Sequence, residues 1–153
     1  MTGAHLLDED GGIDWEATIR NCGLEVTGLP PISEAMDPTA ALLVATSGNA
    51  RPAVTVPGRG ADALHVLDAH WKEQAAPLFA GGGGEFLVML WGPGSSRVGW
   101  FRVREHTARA GLPSRVHQAV GKAEFVCLSV DGSFLCAVTD EADEYWIVTR
   151  RFE

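Results

Sequence analysis

The chain has 153 residues, of which 46% are hydrophobic and 21% are charged. This balance is typical of a globular domain, and the length predicts a single domain that folds without a metal ion or a disulfide. The longest apolar run, residues 86–91, is too short to span a bilayer, and the first residues lack the basic and apolar regions of a signal peptide. The sequence therefore predicts a cytoplasmic protein with no membrane partner.

The net charge of −8 is concentrated in the N-terminal half of the chain. Residues 1–76 contain eleven acidic and four basic side chains, whereas residues 77–153 contain nine acidic and eight basic ones. The sequence shows no basic stripe of the kind that binds nucleic acid, and the N-terminal half would repel a phosphate backbone. Nucleic acid is therefore not an expected partner, whereas the charge is compatible with a basic protein partner.

The N-terminal region begins with a polar stretch. Residues 1–12 are predicted to be a flexible segment, and residues 13–153 are predicted to form the domain. Asp14 is a suitable N-cap for a short helix over residues 15–22, and Gly23 stands where such a helix commonly ends.

Two strands and a long helix are predicted next. Residues 41–46 have the pattern of a buried strand, and residues 53–56 are expected to pair back on it as a hairpin. Residues 61–76 carry apolar side chains at helical spacing, which predicts the longest helix of the chain. Its apolar stripe consists of Leu64, Leu67, Trp71 and Ala75.

Four consecutive glycines, Gly81–Gly84, stand between this helix and an apolar strand predicted at residues 86–91. Phosphate loops run in the order strand, glycines, helix, so that the helix N-terminus points at the anion. Here the order is reversed, the lysine of a Walker A loop is missing, and Glu85 would repel a phosphate. We therefore interpret the glycines as a joint that leads into a buried strand, and we expect no nucleotide cofactor.

A second strand at residues 98–104 is predicted to pair antiparallel with the strand at residues 86–91. A helix over residues 114–120 follows, with Pro113 in its first turn and Gly121 at its end.

The last third of the chain contains a strong hairpin signal. Two apolar segments flank Asp131-Gly132, a dipeptide that favours a two-residue type I′ turn. In that register the numbers of paired residues sum to 263, so Cys127 lies opposite Cys136. Both are expected to be free thiols in a reducing cytosol, although the spacing leaves a cross-strand disulfide open.

Both faces of this hairpin are apolar, so it is expected to lie in a sheet that is covered on both sides. An acidic link leads to a final strand at residues 145–152, which completes a C-terminal three-stranded meander. The predicted fold is a single α+β domain with a mainly antiparallel sheet and two to three packed helices.

The predicted long helix carries potential metal ligands, but their spacing does not suit a metal site. His65 and Asp68 share one helix face and His70 and Glu73 share another, because five residues separate the two histidines. We interpret them as the polar face of an amphipathic helix. The sequence predicts no metal, no cofactor and no catalytic residue.

The acidic link before the last strand is the leading candidate for a binding site. Four carboxylates stand immediately before two aromatic side chains, and rigid aromatic anchors with steering charges are typical of recognition surfaces. The candidate partner-binding residues are Asp140, Glu141, Asp143, Glu144, Tyr145 and Trp146. Tyr145 and Trp146 must face opposite sides of their strand, so we expect at most one of them in the core.

An alternative site lies at the end of the predicted strand at residues 98–104. Arg102 and Arg104 could hold an anionic substrate beside Glu105 and His106, which form the least implausible acid–base pair in the sequence. This pattern is also that of an ordinary solvated strand end.

Two functions are therefore expected. The first is a non-catalytic binding protein, most concretely an inhibitor, immunity-type or antitoxin-type protein that neutralises a basic protein partner through its acidic surface. The alternative is a small-molecule enzyme or ligand-binding domain with a pocket around Arg104, Glu105 and His106. Neither the oligomeric state nor the identity of a partner follows from the sequence.

Overall fold

The structure is a computed structural model. It describes residues 14–28, 40–41, 51–58, 60–79, 84–90, 99–105, 111–141 and 143–152. The predicted flexible segment at residues 1–12, most of the strand predicted at residues 41–46, the first three of the four consecutive glycines and His106 lie outside these residues.

The described residues form helices α1 (Trp15–Asn21), α2 (Ala61–Gln74) and α3 (Leu112–Val120), with a short 3-10 helix at Ala76–Phe79. The strands are β1 (Leu24–Gly28), β2 (Val54–Pro57), β3 (Glu85–Leu90), β4 (Phe101–Glu105), β5 (Phe125–Ser129), β6 (Phe134–Asp140) and β7 (Glu144–Arg151). None of the helices in this part of the chain is long and apolar enough to cross a membrane.

The seven strands form one sheet in the order β1-β4-β3-β5-β6-β7-β2, and every neighbouring pair is antiparallel. The predicted α+β domain, its antiparallel sheet and its C-terminal β5-β6-β7 meander are confirmed. Most of the strand predicted at residues 41–46 lies outside the described residues, so its pairing with residues 53–56 stays a prediction; of the described residues, Ala41 is helical and β2 pairs with β7. A pairing between segments so distant in sequence leaves no local turn signal.

The central strands are buried on both faces, as the sequence predicts. The helix face of the sheet, on which α1, α2 and α3 pack, carries the side chains of Val88, Phe125, Cys127 and Cys136. The opposite face carries a second apolar cluster that includes Leu87, Met89, Trp100, Val126, Leu128, Leu135 and Ala137, all at most 2% exposed. Polar groups are therefore restricted to the ends and edges of the sheet.

The β5–β6 hairpin has the predicted register but a different turn. Cys127 lies opposite Cys136, and both are buried free thiols. A type I′ turn requires a positive φ at both central residues, but among the described residues only glycines have one. Instead, Gly132 N–H donates to the Ser129 carbonyl at 2.9 Å, which centres the turn one residue earlier, and Gly132 follows with a φ of 77°.

Asp131 stabilises this turn through its side chain. Its carboxylate accepts hydrogen bonds from the Ser129 hydroxyl at 2.7 Å and from the Ser133 amide at 3.0 Å and hydroxyl at 2.7 Å. The hydrogen bonds with Ser129 and Ser133 lower the pKa of Asp131 to about 2. The carboxylate thus favours this turn at any pH at which it is ionised.

Among the described strands, β2 is the last in the sheet and lies next to β7. Gly58 N–H donates to the Asp143 carbonyl at 2.9 Å, so the backbone of Gly58 points toward β7. Because hydrogen-bonding direction alternates along an antiparallel strand, the backbone of the preceding residue, Pro57, points away from the sheet. Proline has no N–H, so this position offers no donor.

Helices α1 and α3 obtain their N-terminal caps in different ways. The predicted N-cap of α1 is confirmed, since the Asp14 carboxylate accepts from Ala17 N–H at 3.0 Å. The N-cap residue of α3 is Gly111, which has no side chain, and Asp68 of α2 takes its place. The Asp68 carboxylate accepts from Ser114 N–H at 2.9 Å and from its hydroxyl at 2.6 Å. A Cβ at Gly111 would lie 2.5 Å from the Asp68 Cβ, so only glycine permits this approach.

We expect Asp68→Ala to destabilise the protein by about 1 kcal/mol, the usual cost of removing an N-cap, although the side chain is on another helix. The measurement is urea-induced unfolding. Glu73→Gln on the exposed side of α2 is the control and should change the free energy of unfolding by less than about 0.5 kcal/mol. Equal effects of the two substitutions would show that the contact between the helices does not act as a cap.

Candidate functional site

The acidic residues predicted to bind a partner lie together at one end of the sheet. Glu141 N–H donates to the Glu144 carbonyl at 2.9 Å and closes the β6–β7 hairpin, and Asp140 pairs with Tyr145. The bond from Gly58 N–H to the Asp143 carbonyl joins the end of β2 to the same hairpin. Backbone hydrogen bonds therefore hold the hairpin both internally and to the end of β2.

The two aromatic residues face opposite sides of β7, as strand alternation predicts. Tyr145 is 1% exposed and belongs to the core on the helix face. Trp146 is half-buried on the opposite face, and its indole N–H donates to the Glu144 carboxylate. Of the two predicted aromatic anchors, Trp146 is the one that reaches the surface.

Glu124 lies at the same end of the sheet and was not among the predicted partner-binding residues. Burial raises the pKa of Glu124 above its ordinary value of 4.5; the charges of Asp140 and Glu141 act in the same direction, whereas Lys122 and a backbone hydrogen bond with Asp140 oppose them. The hairpin register already contained the signal, because pairs that sum to 263 place Glu124 opposite Thr139 and beside Asp140.

We call Glu124, Asp140, Glu141, Asp143 and Glu144 the acidic end. Lys122 Nζ lies 3.9 Å from Glu124 Oε1, but the lysine side chain is 71% exposed, and such an ion pair contributes little stability. Five carboxylates thus lie together at this end of the sheet, with Lys122 as an exposed partner of Glu124.

The alternative site at the end of β4 is not brought together as one pocket. Arg102 and Arg104 lie on the opposite face of the sheet and bind carboxylates of neighbouring strands: Arg102 contacts Glu85 at 3.0 Å, and Arg104 contacts Glu25 at 3.4 Å. Hydrogen bonding with Thr27 and Arg102, together with the arginine charges, lowers the pKa of Glu85 despite the opposing effect of burial.

Glu105 points to the helix face instead and forms an ion pair with Arg115 of α3. Arg115 Nη2 lies 2.7 Å from both carboxylate oxygens, and Nη1 donates to the Cys22 carbonyl at 2.7 Å. Burial raises the pKa of Glu105 above its ordinary value of 4.5, against the opposing effect of Arg115. The pair thus joins the end of β4 and α3 to the end of α1, and it occupies the carboxylate that was expected to act as an acid or base.

Two other kinds of site receive no support from the described residues. No group of three His, Cys, Asp or Glu side chains among them is placed to hold a metal ion. A shallow crevice beside α1 encloses no space that a small-molecule ligand could occupy. Its lining is apolar and consists of Trp15, Ile19, Met89, Leu90, Gly99 and Phe101.

The three cysteine thiols are poor nucleophiles. Burial raises the pKa of Cys22 and of Cys136 to about 12, and burial together with the charges of Cys136 and Glu105 raises the pKa of Cys127 well above its ordinary value of 9.0. Because the thiolate is the nucleophile, these side chains serve packing in the structure described.

We expect Arg115→Met to destabilise the protein by roughly 3 kcal/mol, because it leaves the Glu105 carboxylate and the Cys22 carbonyl without their donor. Urea-induced unfolding measures the effect. The double variant Glu105→Leu/Arg115→Met should recover much of this loss, since an apolar pair leaves no buried charge.

The matched control for this prediction is Arg104→Met. Its ion pair with Glu25 joins side chains that are 49% and 48% exposed, so the loss should stay within about 1 kcal/mol. An Arg115→Met variant as stable as Arg104→Met would contradict the role assigned to Arg115.

We expect Glu124→Gln to stabilise the protein at neutral pH. A carboxylate whose pKa is raised in the folded state binds its proton more tightly there, so wild-type stability rises as the pH falls from the folded pKa of Glu124 toward 4.5. The advantage of the glutamine variant should therefore shrink over that range. Urea midpoints measured across this pH range test the expectation, and Glu73→Gln, an exposed position on α2, provides the control. An advantage that is independent of pH would contradict it.

The chain was also compared with known proteins. No protein-family model, no curated protein and no solved structure matches it. What the chain does is therefore inferred from its own residues and contacts.

Proposed function

We propose that the chain is a non-catalytic binding protein whose acidic end docks on a basic protein partner. The observation that supports this proposal is the gathering of five carboxylates at one end of the sheet, where burial and the charges of Asp140 and Glu141 raise the pKa of Glu124. Like charges gathered at one end of a sheet disfavour ionisation of their neighbours. A cationic partner would relieve that repulsion.

The position of the acidic end suits a docking surface. Strands β6 and β2 end at this place, and strands β5 and β7 begin there. The core behind it is formed by fully buried side chains such as Val138 and Ile147. Rigid support keeps the ordering cost of association low, and concentrated charge of one sign accelerates the encounter with an oppositely charged protein.

The most concrete form of this proposal is an inhibitor of the immunity or antitoxin type. An acidic projection supported by a rigid sheet would cover a cationic active site and neutralise a basic enzyme. The small-molecule alternative has no comparable support, because Arg104 and Glu105 lie on opposite faces of the sheet and Glu105 is bound to Arg115.

The test is capture of partners by the immobilised protein at low and high salt. We expect Asp140→Asn/Asp143→Asn to lose basic proteins that the wild type retains at low salt. For a purified captured partner, the association rate should fall several-fold and depend less steeply on ionic strength.

The control is Glu25→Gln/Glu73→Gln, which removes the same number of charges from exposed positions on β1 and α2. It should leave capture and the salt dependence of association unchanged. Equal losses with both double variants would indicate a non-specific response to net charge, and unchanged capture with Asp140→Asn/Asp143→Asn would refute the proposal.

A further inference from the structure

Three side chains form a row across the opposite face of the sheet at its acidic end. Trp146 on β7 pairs directly with Thr139 on β6. Glu124 precedes β5, two residues before Val126 of the opposite-face cluster, and the β5–β6 register places it beside Thr139 on its other side. A carboxylate, a hydroxyl and an indole therefore follow one another on three adjacent strands.

Thr139 is the unusual member of this row. The residue is 2% exposed, and its Oγ1 is buried with no hydrogen-bond partner in the described structure. Leaving a buried hydroxyl unpaired costs about 1–3 kcal/mol. An atom of this kind is free to pair with a group that arrives from outside the chain.

The spacing of the row fits a single cationic group. Adjacent strands lie about 4.8 Å apart, so Glu124 and Trp146 stand roughly 10 Å from each other on either side of Thr139. A cation centred over Thr139 would therefore lie about one strand spacing, roughly 5 Å, from the backbone of each, which the long side chains of Trp146 and Glu124 can span. The Trp146 side chain is already oriented by its hydrogen bond to Glu144.

We propose that this row receives the guanidinium group of an arginine side chain from the basic partner, between Trp146 and Glu124 and above Thr139. The inference rests on the proposed function and specifies the chemistry that the acidic end recognises. Trp146 and Glu124 are half-buried and can be reached directly. Because the Thr139 hydroxyl is buried, contact with it requires the neighbouring side chains to move.

Arginine fits this row better than lysine for two reasons. The guanidinium is planar and weakly hydrated, so it stacks on an indole face, whereas an ammonium is a strongly hydrated point charge. Its five N–H donors also allow one group to bind a carboxylate and a hydroxyl in different directions at the same time.

The experiment is a titration of the ¹⁵N-labelled protein with a hexa-arginine peptide at low salt, followed at the indole N–H signal of Trp146, which the variant Trp146→Phe identifies. Hexa-lysine carries the same charge and is the matched probe. We expect the Trp146 signal to shift with hexa-arginine at roughly two- to fivefold lower concentration than with hexa-lysine, which corresponds to a cation–π contact.

Two variants test the other members of the row. Glu124→Gln and Thr139→Val should each raise the hexa-arginine concentration needed for the shift, and Thr139→Val should not destabilise the fold because it removes an unpaired hydroxyl. The proposal is overturned if the Trp146 signal does not respond, if it responds equally to both peptides, or if neither variant changes the response.

Failure of this inference can be told apart from failure of the proposed function. In one outcome, hexa-arginine binds, Asp140→Asn/Asp143→Asn weakens that binding, and the Trp146 signal does not respond. This outcome would support a basic partner and refute the arginine site. If that double variant also leaves peptide binding and partner capture unchanged, both proposals fall together.

Discussion

Burial of the central strands on both faces is the constraint on which the rest of the structure depends. Neighbouring residues such as Leu87 and Val88 point to opposite sides of β3, yet both are at most 2% exposed. A strand of this kind leaves no polar side chain in the middle of the sheet, because an unpaired polar group there would be costly. Charge and hydrogen-bonding capacity are consequently found where strands end or where the sheet has an edge.

Two half-buried carboxylates at strand ends, Glu105 and Glu124, differ in their surroundings. Burial raises the pKa of both Glu105 and Glu124. Glu105 is matched by two short contacts with Arg115, so its charge is used within the fold. Glu124 lies near other carboxylates, and its lysine partner, Lys122, is 71% exposed. The Glu105 carboxylate joins β4 to α3, whereas the Glu124 carboxylate adds to the negative charge of the acidic end.

The sequence predicted local features better than contacts between distant segments. The Asp131-Gly132 signal predicted the β5–β6 register correctly although the turn type is different, because the flanking apolar residues also determine the pairing. Strand alternation separated Tyr145 from Trp146. The pairing of β2 with β7, the cap that Asp68 provides for α3 and the hydrogen bond from Arg115 to the Cys22 carbonyl join residues far apart in the chain. Such contacts leave no turn residue or periodicity in the sequence from which they could be predicted. The predicted pocket that combined Arg104 with Glu105 did not take strand alternation into account, which places the two side chains on opposite faces.

The proline at the end of β2 restricts how another protein chain can approach the acidic end. Pro57 lies opposite Glu144, and its backbone faces away from the sheet. An incoming strand that extended the sheet here would meet the Pro57 carbonyl but no N–H at that position. It would also lie beside the carboxylates of the acidic end, which attract a basic strand and repel an acidic one. Because the outward-facing backbone of β2 offers a carbonyl but no N–H at this position, a chain that pairs with it here loses one of the main-chain hydrogen bonds that a strand usually provides.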